Sequence, residues 1–182
     1  MTPFNWHTEL GREGHRVLVA GQPFAMHCHH YNINLQMTLE ETLGDDGVML
    51  LFRSAEEAAY HNFRYLIAQY RQLKTYKSRL EMASILFQSC GLGILYFLNA
   101  TPDSGAISSP ASHFVTGWLA KHGRRHTPGC HFSRGWIAGV MEATFDRPLG
   151  HFRVSETQCK LKQDKECLFE ARSAPDTESE TR

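Results

Sequence analysis

The stretch SETQCKLKQDKECLFE, residues 155–170, carries a carboxylate at Glu156 and thiols at Cys159 and Cys167. Thiolate sulfurs and carboxylate oxygens are zinc donors, and a structural zinc site closes with four of them. Three stand here in an E-x2-C-x7-C pattern, so a fourth must come from elsewhere. Cys130, in the loop HTPGCHF, comes just before a predicted helix, where first-turn N–H groups favour a thiolate. His131 or His126 offers an imidazole in its place. Side chains alternate faces along a regular strand, so Glu156 and Cys159 converge only across a bulge or turn. Cys167 then faces Cys159 across a hairpin. The spacing alone also fits separate half-buried cysteines, because free Cys is among the most buried residue types.

A second concentration of chemistry is MHCHHYN, residues 26–32. On a helix, His27 shares a side with His30 and Tyr31, three and four positions on. Cys28 falls near the line of Leu35 and Leu39. One helix would present His27, His30 and Tyr31 to a cavity, with Cys28 beside them and His29 pointing elsewhere. Imidazole binds zinc, iron, copper or haem and titrates near neutral pH, so the cluster suits a ligand, a second metal or a haem. The competing reading is a polar first helical turn that happens to carry histidines. Nucleophilic catalysis by Cys28, with His27 or His30 as base, lacks a third group to orient the base.

These residues need elements to hold them. The chain is expected to open with a loose segment over 1–14 and a short strand-like run over 15–21. Apolar residues at spacing four predict a helix over 24–43, stopped by Gly44. Residues 45–53 either link or begin the next helix. Ser54 and Glu57 form a possible capping box for a helix reaching 73. Residues 74–78 read as a turn and 79–90 as a third helix, which Gly91 and Gly93 stop. The period then changes. Strands are expected at 94–100 and 106–109, a helix opened by Pro110 to 122, and a loop over 123–129. A helix over 131–145 follows, in which Gly135 and Gly139 allow close backbone approach. Two strands, 148–156 and 165–171, flank a lysine-rich turn, and a polar tail over 173–182 is expected to be disordered. Trp118, Trp136, Phe87, Tyr96, Phe114 and Phe132 are assigned to the core, and Arg124, Arg125 and His126 to a solvated loop.

Residues 105–171 resemble the 4-vinyl reductase domain family, through Cys130 in PGCHF, the GWIAG run at 135–139 and SETQC with ECLFE. That family includes zinc-containing sensory domains that respond to phenol-like aromatics, stand-alone hydrocarbon-binding proteins and a protein linked to tetrapyrrole vinyl reduction. The resemblance implies an α+β fold, with an antiparallel sheet from the second half and helices from the first half packed on it. It also implies a structural zinc held by Cys130, Glu156, Cys159 and Cys167, a pocket for a small apolar or aromatic ligand, and a homodimer. His113, after SSPAS, lies where family members place polar pocket residues. Two departures are visible. Gln163 occupies the turn where the family has Gly, and the segment from Cys130 to Glu156 is longer around Asp146, Arg147 and Pro148.

Composition bounds the rest. The 182 residues suit one domain, over 15–172, with a helical first half (24–90) and a sheet-rich second half (93–171). Lys+Arg and Asp+Glu are 19 each, which argues against a broad nucleic-acid or anionic-membrane surface. No apolar run reaches the length of a membrane span, and the polar N-terminus lacks a signal-peptide core, so a cytoplasmic location is expected. Five cysteines, an odd count, then read as buried groups, metal ligands or catalytic groups rather than disulfides. The expected function is binding of an aromatic, hydrocarbon-like or tetrapyrrole molecule beside a structural zinc, with a protein partner as a further expectation. The alternatives are a small metal- or haem-dependent enzyme using the His27–His30 cluster, and a purely structural interaction subunit. The helix over 24–43, with Met26, Ile33 and Met37 on a second apolar line, is the candidate dimer face.

Overall fold

The computed structural model describes residues 5–25 and 27–175. In chain order the elements are α1 (Trp6–Glu9), β1 (Leu10–Glu13), β2 (Arg16–Val19), β3 (Gln22–Phe24), α2 (His29–Leu43), α3 (Asp45–Gln69), α4 (Tyr76–Ser89), β4 (Gly93–Ala100) and β5 (Ser104–Ser112). They continue with α5 (His113–His122), α6 (His131–Thr144), β6 (Phe152–Gln158), a 3-10 turn (Lys160–Lys162) and β7 (Cys167–Ser173).

The first three strands form an antiparallel meander. Residues 10–13, expected to be loose, are therefore a strand, paired from Leu10 with Val19 to Glu13 with Arg16. Two tight turns make this possible. Gly14 has φ 60°, while Ala20 and Gly21 have φ 49° and 78°, the left-handed pair that suits a two-residue hairpin. The strand is short and polar, so it carries almost no hydrophobic period. The meander also displaces the next helix. Pro23 lies in β3, and α2 begins at His29 rather than at 24, with Cys28 extended at φ −74°, ψ 160° as its N-cap.

The DDGVMLLFR segment is not a link. It is the start of the 25-residue α3, whose first turn carries Asp45 and Asp46, favoured at a helix N-terminus. Ser54 and Glu57 therefore sit inside a helix and cap nothing. The capping box belongs to α4, where Thr75 and Ser78 satisfy each other's backbone N–H groups. Nor does Pro110 open a helix. It lies within β5, and α5 starts at His113, with the Ser112 hydroxyl accepting the Val115 N–H.

The second sheet is antiparallel, in the order β4-β5-β7-β6. Its inner face and the helices enclose a core that includes Phe63, Phe87, Leu95, Ile107, Ile137 and Phe169, each 1% exposed or less. The fold is α+β as expected. The helices on the sheet come from both halves, however, with α6 sandwiched between β6 and α3. Gly135 and Gly139 allow this. A Cβ at Gly135 would fall 2.0 Å from the Phe52 carbonyl oxygen, and one at Gly139 would fall 2.2 Å from that of Glu56. Only glycine permits backbones so close.

Phe87, Trp136 and Phe114 are buried as expected, Trp118 and Phe132 partly so. Tyr96 is not a core residue. It is 53% exposed on the edge strand β4. The second apolar line of α2 is not an open face either. Ile33 is fully buried, packed where Gly117 of α5 leaves room for it. Met26 and residues 176–182, most of the expected tail, lie outside the described residues.

Candidate metal centre

Cys130, Glu156, Cys159 and Cys167 each bring one donor atom to a common point, all four within 4.8 Å of one another. They are the one group of three or more His, Cys, Asp or Glu among the described residues that converges in this way. Each arrives by a local device. Cys130 ends the loop and is the N-cap of α6. Its N–H donates to Glu156 Oε2 at 3.0 Å, fixing the carboxylate against the helix start. Glu156 and Cys159 meet because the β6–β7 register shifts between Glu156 and Gln158. That bulge overrides the alternation that would turn them to opposite faces. The 3-10 turn then returns the chain to Cys167. Asp164 Oδ2 accepts the Cys159 N–H at 2.7 Å, and the Lys160 N–H donates to Cys167 Sγ at 3.4 Å.

Gln163 closes this turn with φ 78°, the left-handed conformation that glycine takes without strain. Glutamine thus takes a left-handed backbone at the turn where the resemblance led one to expect glycine. The extra length around 146–148 lies between α6 and β6, away from the donors. Asp146 there has φ 54° and pairs with Arg79 at 3.4 Å, and Arg147 pairs with Asp103 at 3.2 Å.

The donor spacing suits a tetrahedral ion. Zinc–sulfur bonds of about 2.3 Å give a sulfur–sulfur edge of about 3.8 Å. Cys130 Sγ and Cys167 Sγ are 3.7 Å apart. All three cysteines are 0% exposed. Three thiols and a carboxylate so confined cannot all ionise against water-free surroundings. The S–H groups of Cys130 and Cys167 donate to Cys159 and hold its pKa far below the ordinary thiol value. Cys130 is pushed well up by its bonds to Cys159 and Cys167, then by burial and the Glu156 charge. At Cys167 the bond with Cys130 acts downward, but the bond with Cys159 and burial prevail, and its pKa rises. Burial, then the bond to Cys159, raises Glu156 to about 7 against the Cys130 N–H. A dication at the common point would offset this crowding of acids, so the set can hold a metal ion.

A polar layer behind the donors was not foreseen in the sequence. Gln36 Nε2 donates to the Gly129 carbonyl at 2.9 Å, next to Cys130. Glu40 pairs with Arg125 at 2.9 Å and with His131 Nε2 at 3.1 Å. Burial alone would raise Glu40, but bonds from His131, Arg125 and Gln36 outweigh it and hold the carboxyl at about 2. Arg125 also stacks over Trp118 at 4.6 Å, so it is pinned rather than solvated. The loop before Cys130 is thereby tied to α2. His131 faces Glu40, and His126 is exposed, so neither takes the fourth ligand place.

The histidine cluster sits apart, where α2 begins beside the start of α5. His27, Cys28, His29, His30 and Tyr31 are all exposed, and they do not share one helical face, because His27 and Cys28 precede the helix. The His27 and Tyr31 rings still meet at 4.5 Å. His29 lies 4.3 Å from His30 and 6.4 Å from His113, ring to ring. Asn32 Nδ2 stands 3.1 Å from His113 Nε2. Lys121, then His29, lowers the pKa of His30, and burial, then His29, lowers that of His113.

This arrangement, a helix buried between a long helix and an antiparallel sheet with a three-thiol, one-carboxylate cluster at its N-terminus, defines a compact α+β domain. Among solved structures the chain is similar to the phenol-responsive sensory domain of the transcription activator PoxR with phenol, at TM-score 0.80 and 16% identity, covering 93% of this chain and 87% of that one. It thus has the fold of that sensory domain, the fold that the resemblance implied. Weaker likenesses are a vinyl-4-reductase family protein from Methanocaldococcus jannaschii (TM-score 0.44, 16% identity, 83% of this chain and 98% of that one) and a trafficking protein particle complex subunit 3 from Naegleria fowleri covalently bound to palmitic acid (TM-score 0.42, 15% identity, 80% and 96%). No family model and no curated protein matches the sequence.

Proposed function

We propose that the chain is a small-molecule-binding module for a compact aromatic or similarly apolar ligand, braced by a structural zinc on Cys130, Glu156, Cys159 and Cys167. The convergence of these four donors within 4.8 Å carries the metal part of this reading. Three sulfurs and one oxygen supply four ligands, which suits a closed zinc site rather than a hydrolytic one. The centre would clamp the β6–β7 hairpin to the start of α6, the helix that touches both α3 and the sheet. The ligand part is supported by the fold shared with a domain that is described as phenol-responsive. His113 and the nearby His27, Cys28, His30 and Tyr31 are proposed as a polar contact surface at one end of the domain.

Metal content per chain, measured by mass spectrometry on protein purified without a histidine tag, tests the centre. One zinc per chain is expected, lost in Cys159→Ser and Cys167→Ser. Metal-free protein from a fresh reduced preparation would sink the assignment. A second equivalent of iron or copper, lost on changing His29 and His30, would instead favour the enzymatic reading. Titration calorimetry of the zinc-loaded chain with phenol tests the ligand class, with micromolar to millimolar affinity expected and no heat of binding counting against it.

A further inference from the structure

Along the seam between α3 and β6, two depressions meet at Arg134 and Ser155. The larger, about 450 Å³, has apolar walls that include Met49, Phe52 and Phe152 and is rimmed by Arg53, Arg134 and Arg153. No carboxylate lines it. The smaller, about 360 Å³, continues the seam to Glu156 at the metal centre. We propose that this seam binds a small organic anion, an aromatic carboxylate, whose ring lies against Phe52 and Phe152 while its charge meets Arg134 and Arg53. The inference rests on the reading of the chain as a small-molecule-binding module and names a ligand class and a place for it.

Arg134 is the anchor. It is half-buried, and its Nε donates to the Val154 carbonyl at 2.8 Å, which orients the guanidinium along the seam. It also lies over the Phe52 ring at 5.5 Å. Among the described residues it has no carboxylate within ion-pair distance, and neither has Arg53. The Glu156 carboxylate, which lines the smaller depression with Arg134, acts on it without closing an ion pair, so the guanidinium keeps unused donors. Arg53, Arg134 and Arg153 line the larger depression with no carboxylate among its lining residues, while Asp45 and Glu156 line the smaller one. Guanidinium groups bind carboxylates through two parallel hydrogen bonds and stack on aromatic faces, which matches an anionic head on a flat apolar body. The volume falls within the range of ordinary small-ligand sites, ~300–1,000 Å³.

Calorimetry on the zinc-loaded full chain, with benzoate, phenol and neutral benzyl alcohol as probes, tests this. Benzoate is expected to bind more tightly than benzyl alcohol and to weaken as salt is raised from about 0.05 to about 0.5 M. Arg53→Glu, an exposed position outside the metal ligands, is expected to weaken benzoate about tenfold or more and leave phenol unchanged. Arg53→Gln gives a smaller loss in the same direction and serves if the charge reversal reduces yield. Equal affinity for benzoate and benzyl alcohol, or benzoate binding indifferent to both Arg53 variants, overturns the proposal. Phenol binding without benzoate binding overturns the seam while leaving the small-molecule reading in place. Absence of both rejects the two together.

Discussion

Two carboxyls outside the candidate metal centre meet in the interior. Glu56 is 1% exposed and Glu142 0%, where α3 packs on α6. Glu142 Oε1 accepts the Phe152 N–H at 3.1 Å. Burial, then the Glu56 charge, pushes Glu142 up to about 9, against that N–H. The folded state therefore holds a proton that the unfolded chain releases near the ordinary glutamate value of about 4.3. A raised folded-state pKa contributes stability that is fully present below the unfolded value and lost as pH rises through the folded one. Stability is thus expected to decline between about pH 4.3 and pH 9. Glu142→Gln keeps an acceptor for Phe152 without the charge. Its melting temperature should overtake the parent's as pH rises, by ~3 °C or more at pH 8. Parallel melting curves across pH 5 to about 9 would show that the pair carries no proton. At the metal centre, residue types and the E-x2-C-x7-C spacing were legible in the sequence. The bulge that brings Glu156 to Cys159 was visible only as a condition for convergence.

Helix α6 is the element on which the molecule depends. It carries Cys130 at its N-cap, Arg134 on the seam and Glu142 in the interior, and it reaches α3 through two glycines. Gly139→Ala would drive a methyl into the Glu56 carbonyl and the Tyr60 amide, which are backbone atoms that cannot rotate away. A loss of about 2–3 kcal/mol or more in denaturant unfolding is expected. Gly123→Ala serves as contrast, because a Cβ there meets nothing within 4 Å and the cost is only that of its φ of 70°. Equal losses in the two variants would mean that the α3–α6 approach is not as tight as described. In the sequence, the glycine pair pointed to close approach but not to a partner. The long-range contact is set by the packing of two elements that lie far apart along the chain. The N-terminal meander was harder to read. Short, polar strands have almost no hydrophobic period, and their turns depend on left-handed φ values that Ala20 does not advertise.

At the scale of the whole molecule, a structural zinc would couple folding to metal, because ligands scattered in the unfolded chain converge only in the folded one. A chelator is expected to lower the melting temperature of the parent by ~10 °C or more and to leave Cys159→Ser, already metal-free, unmoved. The homodimer expected from the family resemblance predicts a solution mass of twice 20.7 kDa by light scattering. The face first considered for it, with Ile33 at its centre, is occupied by α5 of the same chain. Among the described residues, no helix is long and apolar enough to cross a membrane.

The α+β class and the choice of Cys130 as fourth donor came from the family resemblance, and the sequence by itself determined most element types from α3 onward and three candidate donors, Glu156, Cys159 and Cys167. Those follow from local quantities such as hydrophobic period, glycine stops and the identity of soft ligands at short spacing. Tertiary structure decided where α2 begins, and so removed His27 and Cys28 from a helical face and left the cluster on the surface. It also decided that Arg125 is pinned to Glu40 and Trp118, that Tyr96 lies outside the core, and that Arg134 and Arg53 line a depression with no carboxylate in its lining. Each of these depends on which elements pack together, a non-local outcome that no window of sequence contains.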